Sequence, residues 1–236
     1  MNTSTLIQKV WNFCHTLRDD GGGLWRLSRA AHLPAVPQAC PRVGCSSTAH
    51  QMSLELRIAC ESDAEEIAAL VNRAYRPAPE DAGWTHEANL VSGQRTTVEQ
   101  VLSLFHKQST VLLLCLGSKI VACVHVQGGQ SNFAYIGMLA TDPKLQVQGL
   151  GKQMLLHAEK YAVEHFKVSA FKISVPSSRP ELLAFYERRG YVQTGEIEEY
   201  PLSAGVGQPM VSGIQVLLLA KSRPNIAFSP DGFAAG

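Results

Sequence analysis

No apolar run in this sequence approaches the roughly 20 residues a bilayer-spanning helix needs; the longest, such as residues 111–116, are far shorter. A surplus of positive charge is also missing. Twenty-one Lys and Arg stand against 20 Asp and Glu, a net of +1, whereas nucleic-acid binders carry a strong basic excess. The six cysteines form no regular framework, and Cys115 and Cys123 fall in apolar strand-like segments where a free buried thiol is the default. His32, Cys40, Cys45 and His50 cluster near the start, but their spacing matches no standard zinc finger. No metal is therefore expected. A basic start, a continuous apolar stretch and a small-residue cleavage site are not evident, and Asp19 and Asp20 argue against a transit peptide. The absences together lead to an expectation of a reducing, cytoplasmic setting with no nucleic-acid or membrane partner.

Organisation along the chain is uneven. Residues 1–51 carry five Lys or Arg against two Asp, a net of +3, and the remainder carries sixteen against eighteen. From 21 to 51 Gly and Pro punctuate the chain without a sustained period. Residues 1–51 read as an irregular extension holding one short helix, residues 52–221 as the folded domain, and residues 222–236 as an irregular tail. Within the domain, "LELRIA" alternates as a strand, and Ser62 with Glu65 reads as a capping box opening a helix through Ile67, Leu70, Val71 and Ala74. Thr97 and Gln100 cap a second helix carrying Val98, Val101, Leu102 and Phe105. "TVLLLCL" and "KIVACVHVQ" are β-rich runs joined by Gly117-Ser118, a hairpin signal, and "NFAYIGMLAT" is a third. A long helix from 150 to about 166 follows, then the strand "SAFKISV", the short helix "PELLAFYERRGY", and strands around Val192 and 214–219. The expected order is β-α-α-β-β-β-α-β-α-β-β, a mixed α/β fold.

Between the third run and the long helix stands "DPKLQVQGLGKQML", with two glycines and a lysine. A P-loop needs Gly where Gln146 stands and Ser or Thr where Gln153 stands, and a dinucleotide fingerprint needs Gly where Met154 stands. Both fail. What remains is a helix N-terminus with unpaired N–H donors, from which Gly149 and Gly151 remove the side chains that keep a phosphate away. That geometry suits a pyrophosphate. An ordinary strand-turn-helix is the alternative, and context decides between them.

Strand, "LATDP", Gln146-x-x-Gly149-x-Gly151, helix, strand and "AFYERRGY" stand here in the order and spacing of the GNAT superfamily of N-acetyltransferases, which residues 54–221 resemble. The resemblance implies a mostly antiparallel sheet with splayed central strands and flanking helices. It also implies acetyl-CoA as co-substrate, with its pyrophosphate on the backbone of Gln146, Val147, Gln148, Gly149, Leu150 and Gly151, and its pantetheine arm along Leu139, Ala140 and Thr141. Thr141 replaces the usual Val, another β-branched residue. Arg179 stands where many members carry an Asn that contacts pantetheine. It is available to the cofactor phosphates or the acceptor, or is an exposed Arg beside Ser178. A homodimer is left open. Residues 1–21 resemble, separately, the N-terminal helix of DNA-methyltransferase subunits of type I restriction-modification systems, but the Asn-Pro-Pro-aromatic catalytic motif is absent, so no methylation chemistry is carried over.

Amine acetylation requires a proton to leave nitrogen and one to reach the departing thiolate. Tyr186 occupies the family's position for the second task, and a phenol of intrinsic pKa ~10 can hydrogen-bond a sulfur whose thiol pKa is ~8.5. No carboxylate lies on the strand from 132 to 141; Glu87 or His125 through water, or a neutral incoming amine, are the alternatives for the first. Acceptor recognition is expected in the loop carrying Glu80, Asp81, Trp84, His86, Glu87 and Arg95, with Trp84, Glu87 and Arg179 as candidate contacts for a small-molecule or peptide amine. Acidic groups in that loop suit a cationic amine, and solvated loop positions explain them equally. A non-catalytic acyl-CoA-binding module and an adaptor for a methyltransferase complex through residues 1–21 are the readings from other classes.

Overall fold

The computed structural model describes residues 53–129 and 132–223. The expected N-terminal helix, the cluster between 32 and 50 and nearly all of the expected tail lie outside them. Seven strands build one sheet in the order β1-β3-β4-β5-β6-β9-β7. These are β1 (Leu54–Ile58), β3 (Ser109–Leu116), β4 (Lys119–Gly128), β5 (Phe133–Thr141), β6 (Ala170–Pro176), β7 (Val192–Glu199) and β9 (Gln215–Ser222). Helix α1 (Ala64–Tyr75) and the short α2 (Val98–Leu102) precede β3, α3 (Leu150–Phe166) links β5 to β6, and α4 (Pro180–Glu187) links β6 to β7. Two two-residue strands, β2 (Val91–Ser92) and β8 (Gln208–Pro209), pair separately.

β3 and β4 are apolar on both faces because both faces are covered. Leu113, Cys115, Ile120 and Cys123 meet Ile67, Leu70 and Val71 of α1, while Leu112, Leu114, Val124 and Val126 meet Met154, Ala158 and Ala162 of α3. The period-2 alternation of the strands and the 3.6-period stripes of the two helices thus form two core layers about one sheet.

Two local details differ from the sequence reading. The turn before α1 is closed by Asp63, not by Ser62 with Glu65: the Asp63 carboxylate accepts the Cys60 N–H at 2.8 Å and both Arg57 terminal nitrogens at 2.7 and 2.8 Å. An ion pair from β1 outweighs a neutral serine hydroxyl for this position. Helix α2 ends at Leu102, leaving Phe105 beyond it, although its Thr97–Gln100 capping box is present, with reciprocal bonds of 3.0 and 3.3 Å.

The feature that positions the site is a parting of strands. β5 runs parallel to β6 and pairs with it only from Phe133↔Ala170 to Tyr135↔Lys172. Beyond Tyr135 it stays with β4 alone up to Thr141. Within that stretch His125 pairs with Gly137 and Cys123 with Ala140, so Met138 and Leu139 together oppose Val124. Met138 takes φ +49° to make this bulge. Bulges bend a strand and twist it away from its neighbour, which leaves the end of β5 with an unpaired backbone edge facing a gap.

Candidate active site

Two clefts open from that gap. The first, about 490 Å³, is lined by Leu139, Ala140 and Thr141 of β5, the glycine loop, and Leu182, Phe185 and Tyr186 of α4. The second, about 200 Å³, lies between the β5 bulge, Tyr75 at the end of α1, and the segment from Tyr200 to Val206. Tyr75, Leu139, Arg179, Leu182 and Tyr186 belong to both walls. A molecule in each cleft meets the other at these residues.

At the first cleft the loop is a cradle of donors. Gly149 is N-cap of α3 with φ +82°, a left-handed value that glycine adopts without strain, and Val147 beside it has φ +68°. Gln153 N–H already bonds Gly149 O at 3.0 Å, but the N–H groups of residues 147 to 152 reach no acceptor among the described residues. Among the described residues beyond its chain neighbours, a Cβ on Gly149 meets nothing within 4 Å, and one on Gly151 meets only Phe185 and the Thr141 hydroxyl at 3.8 Å. The space above the donors is therefore open. Lys152 and Arg188 are exposed on the rim, and Arg189 lays its guanidinium 3.5 Å from the Phe185 ring centre. Arg189 Nε is buried with no partner among the described residues. Unpaired backbone donors, a cationic rim and empty volume over two glycines fit a diphosphate.

Tyr186 stands at the junction, 6% exposed, its ring edge-on to Phe185 at 5.1 Å and to Tyr191 at 5.7 Å. Its hydroxyl makes no hydrogen bond among the described residues. Burial pushes this phenol above its ordinary value, with the neighbouring Tyr75 adding to the effect, so it stays protonated throughout the neutral range. Tyr75 gives its own proton to Leu139 O at 3.3 Å, at the bulge.

Charges gather on the second cleft. Glu87 is 4% exposed and is held by Arg76 at 2.7 Å, with Arg95 Nε at 3.7 Å. Arg76 also donates to Val206 O at 2.9 Å and to Gly93 O at 2.5 Å, tying the loop after α1 to the loop after β7. Arg179 is 4% exposed, not a surface residue; it donates to Thr85 and bonds Glu181 at 3.2 Å. Of the loop residues named from sequence, Glu87 and Arg95 line this cleft, Trp84 lines the first, and Glu80 and Asp81 are exposed, Asp81 pairing with Lys144 at 3.3 Å. Tyr75, Arg76, Tyr135 and Tyr200 were not singled out. Tyr75 had a signal: it sits four residues after Val71, so it continues the apolar stripe of α1 with a polar tip.

His125 also faces the second cleft, its Nε2 2.7 Å from Ser109 Oγ. Burial, with a smaller contribution from His106, lowers it from 6.5 to about 4, so the ring is neutral at physiological pH. A depressed histidine favours folding above its unfolded value and loses that advantage as pH falls from 6.5 towards 4, because the unfolded chain binds the proton first. Over that window stability should drop by up to about 3 kcal/mol, less whatever solvent reaches the ring. Denaturant melts of wild type and His125→Gln at pH 7, 5.5 and 4.5 check this: the variant should lose the slope, and parallel curves would assign it to other groups.

A model described as the acetyltransferase (GNAT) family matches residues 65–191, and the chain belongs to that family. It is similar, at 27% identity over 152 residues, to S-(2-succino)cysteine N-acetyltransferase of Bacillus subtilis (strain 168), a match covering 61% of this chain and 88% of that protein. Its fold is similar to that of the ribosomal-protein-S18-alanine N-acetyltransferase from Escherichia coli, with TM-score 0.55 at 17% identity, covering 78% of this chain and 100% of that one. An N-acetyltransferase from Staphylococcus aureus Mu50 gives TM-score 0.56 at 13% identity, over 72% and 97% of the two chains. The protein is thus an acyl-CoA-dependent N-acetyltransferase, moving an acetyl group from acetyl-CoA to an amine. Among the described residues no group of three or more His, Cys, Asp or Glu is arranged to hold a metal ion, and no helix is long and apolar enough to cross a membrane.

Proposed function

We propose that residues 52–221 form the catalytic unit and pass the acetyl group directly to the amine of a small molecule seated in the second cleft, with Tyr186 as hydrogen-bond donor and acid to the departing sulfur. The observation that carries this is the Tyr186 hydroxyl, without a hydrogen-bond partner among the described residues, on the wall that both clefts share. Acetyl-CoA supplies an activated acyl carbon and a thiolate leaving group. The backbone of residues 146 to 151 holds the pyrophosphate, with Lys152, Arg188 and Arg189 on its rim, and the open edge of Leu139, Ala140 and Thr141 aligns the pantetheine arm. The acceptor nitrogen bonds the carbonyl carbon while the carbon–sulfur bond breaks; nitrogen loses one proton and sulfur gains one. Tyr186 is a weak acid here, so it stabilises the growing negative charge on sulfur first and completes the transfer as the nitrogen gives up its proton.

Neither candidate base is set to start the reaction. Glu87 is engaged by Arg76 and Arg95, and a His125 lowered to about 4 takes protons poorly. The acceptor therefore enters as the neutral amine, and kcat/KM should rise with pH up to the acceptor's own pKa. The Bacillus subtilis relative acts, by its name, on a substituted cysteine, which is of the size a cleft of about 200 Å³ admits. A panel containing S-(2-succino)cysteine, other amino acids, a diamine and an alanyl peptide, read by thiol release, tests the reading. Turnover of a small molecule is expected; turnover of the peptide alone, or of nothing, would overturn it.

A further inference from the structure

We propose that Tyr75 is a second catalytic tyrosine, whose oxygen accepts a hydrogen bond from the incoming amine and turns the nitrogen lone pair towards the acyl carbon. The inference rests on the reading that the second cleft seats a neutral amine. Tyr75 is the last residue of α1, and it shares with Tyr186 the wall common to both clefts. That wall is where a nitrogen from one cleft must meet a thioester from the other. The two hydroxyls stand there in opposite states. Tyr186 donates to nothing among the described residues, whereas Tyr75 has already given its proton to Leu139 O at 3.3 Å. A phenol has one proton and two lone pairs, and no donor among the described residues reaches the Tyr75 oxygen. It therefore offers lone pairs to the junction.

The fold sets this polarity. Asp142 N–H bonds Val121 O at 2.8 Å, and residues of an antiparallel pair turn alternately towards and away from the partner. Ala140 therefore faces β4, and Leu139 turns its carbonyl to the gap. A backbone carbonyl only accepts, so the direction of the bond from Tyr75 is fixed. The residue is held from two further sides: Glu87 N–H bonds Tyr75 O at 2.9 Å, and the Arg95 guanidinium packs over the ring at 5.0 Å. A neutral amine needs such a partner. It brings N–H donors and one lone pair, and a buried N–H without an acceptor is costly. An N–H placed on the Tyr75 oxygen leaves the lone pair free for carbon, whereas an O–H donated to nitrogen would occupy it. As the carbon–nitrogen bond forms, nitrogen becomes positive and its N–H a stronger donor, so the contact tightens towards the transition state. Donation to Leu139 O polarises the phenol and strengthens it as an acceptor. Tyr75 does not take the nitrogen's proton, because its own has only a backbone carbonyl to move to.

The test replaces Tyr75 by 3-fluorotyrosine and by 3,5-difluorotyrosine, which weaken the oxygen as an acceptor while strengthening its O–H as a donor to Leu139. Burial raises the Tyr75 phenol above its ordinary value, which keeps the ring protonated at pH 7. The amines are S-(2-succino)cysteine, glycine and 1,4-diaminobutane, and the fastest of them carries the measurement. Acyl transfer should slow by roughly threefold with one fluorine, on the order of tenfold with two, and about 10–10²-fold in Tyr75→Phe, the range of a hydrogen bond to a charged group. Acetyl-CoA affinity, read by calorimetry, should stay within roughly twofold in the fluorinated enzymes, which keep the bond to Leu139 O. Transfer that is unchanged or faster in the fluorinated enzymes overturns the proposal and makes Tyr75 a prop for the bulge. A loss of affinity equal to the loss of rate overturns it too. If Tyr75→Phe does not fold, the fluorinated enzymes, which retain the hydroxyl, decide alone. Wild type that releases no thiol with any amine is a different failure, seen before any substitution is made: it removes the assignment of the second cleft and this inference with it.

Discussion

Replacing Tyr186 by Phe should lower kcat by about 10²-fold or more, within the 10²–10⁴ range typical of a positioned acid, while leaving acetyl-CoA affinity nearly unchanged. The ring contacts with Phe185 and Tyr191 do not involve the hydroxyl, and that hydroxyl has no hydrogen bond to lose among the described residues. Its removal therefore leaves the fold almost untouched, and the thermal midpoint should stay where it is. The burden falls on the transition state, where the sulfur leaves with a charge and finds a hydrocarbon edge in place of a donor. Burial raises the phenol well above the usual tyrosine value, so wild-type kcat should show no decline near pH 10. Stopped-flow measurement of the acyl-transfer step, with calorimetry of acetyl-CoA binding, separates the outcomes. Equal losses in binding and rate would make Tyr186 a packing residue, and an unchanged chemical step would end its role as acid.

What the sequence made legible is what the chain specifies locally. The glycine loop and the span of α3 depend on short-range spacing and stand where that spacing predicts, whereas Tyr186 is singled out by the family resemblance and lies in α4. The gap between β5 and β6 was visible only through family resemblance, because nothing local marks it: Met138 takes φ +49° without being glycine, and the last β5–β6 pair is Tyr135↔Lys172. The second cleft was less legible still. The acidic residues of the loop holding Glu87 fit a cationic acceptor and plain solvation equally in sequence, and the meaning of Glu87 is set by Arg76 eleven positions earlier and Arg95 eight later. Tyr200 and Val206 arrive from the far side of the sheet, bound back by Arg76. Arg179, for which the sequence leaves a ligand contact and an exposed position beside Ser178 both open, is buried, with Thr85 and Glu181 converging on it. A sign of charge that depends on five separated segments is not contained in any one of them.

Gly149→Glu should weaken acetyl-CoA binding by about 10²–10³-fold. Two effects act, and they separate. The first is conformational: φ at this N-cap is +82°, where a side chain costs roughly 1–2 kcal/mol, and that cost falls on stability. The second is electrostatic and falls on binding. A Cβ here meets nothing within 4 Å among the described residues beyond its chain neighbours, so the new carboxylate projects into the open volume above the unpaired N–H groups, where the diphosphate is assigned. Like charges about 4 Å apart at an effective dielectric near 20 repel by about 4 kcal/mol, which outweighs the strain. Gly149→Asn supplies the control, since asparagine tolerates the left-handed region and adds no charge. Calorimetry should find the Asn variant within about tenfold of wild type and the Glu variant far weaker, with the difference narrowing at 0.5 M salt as screening shortens to roughly 4 Å. A folded Glu variant that binds acetyl-CoA as wild type does would remove the pyrophosphate from this loop, and the unpaired donors of residues 147 to 152 would need another anion to explain them.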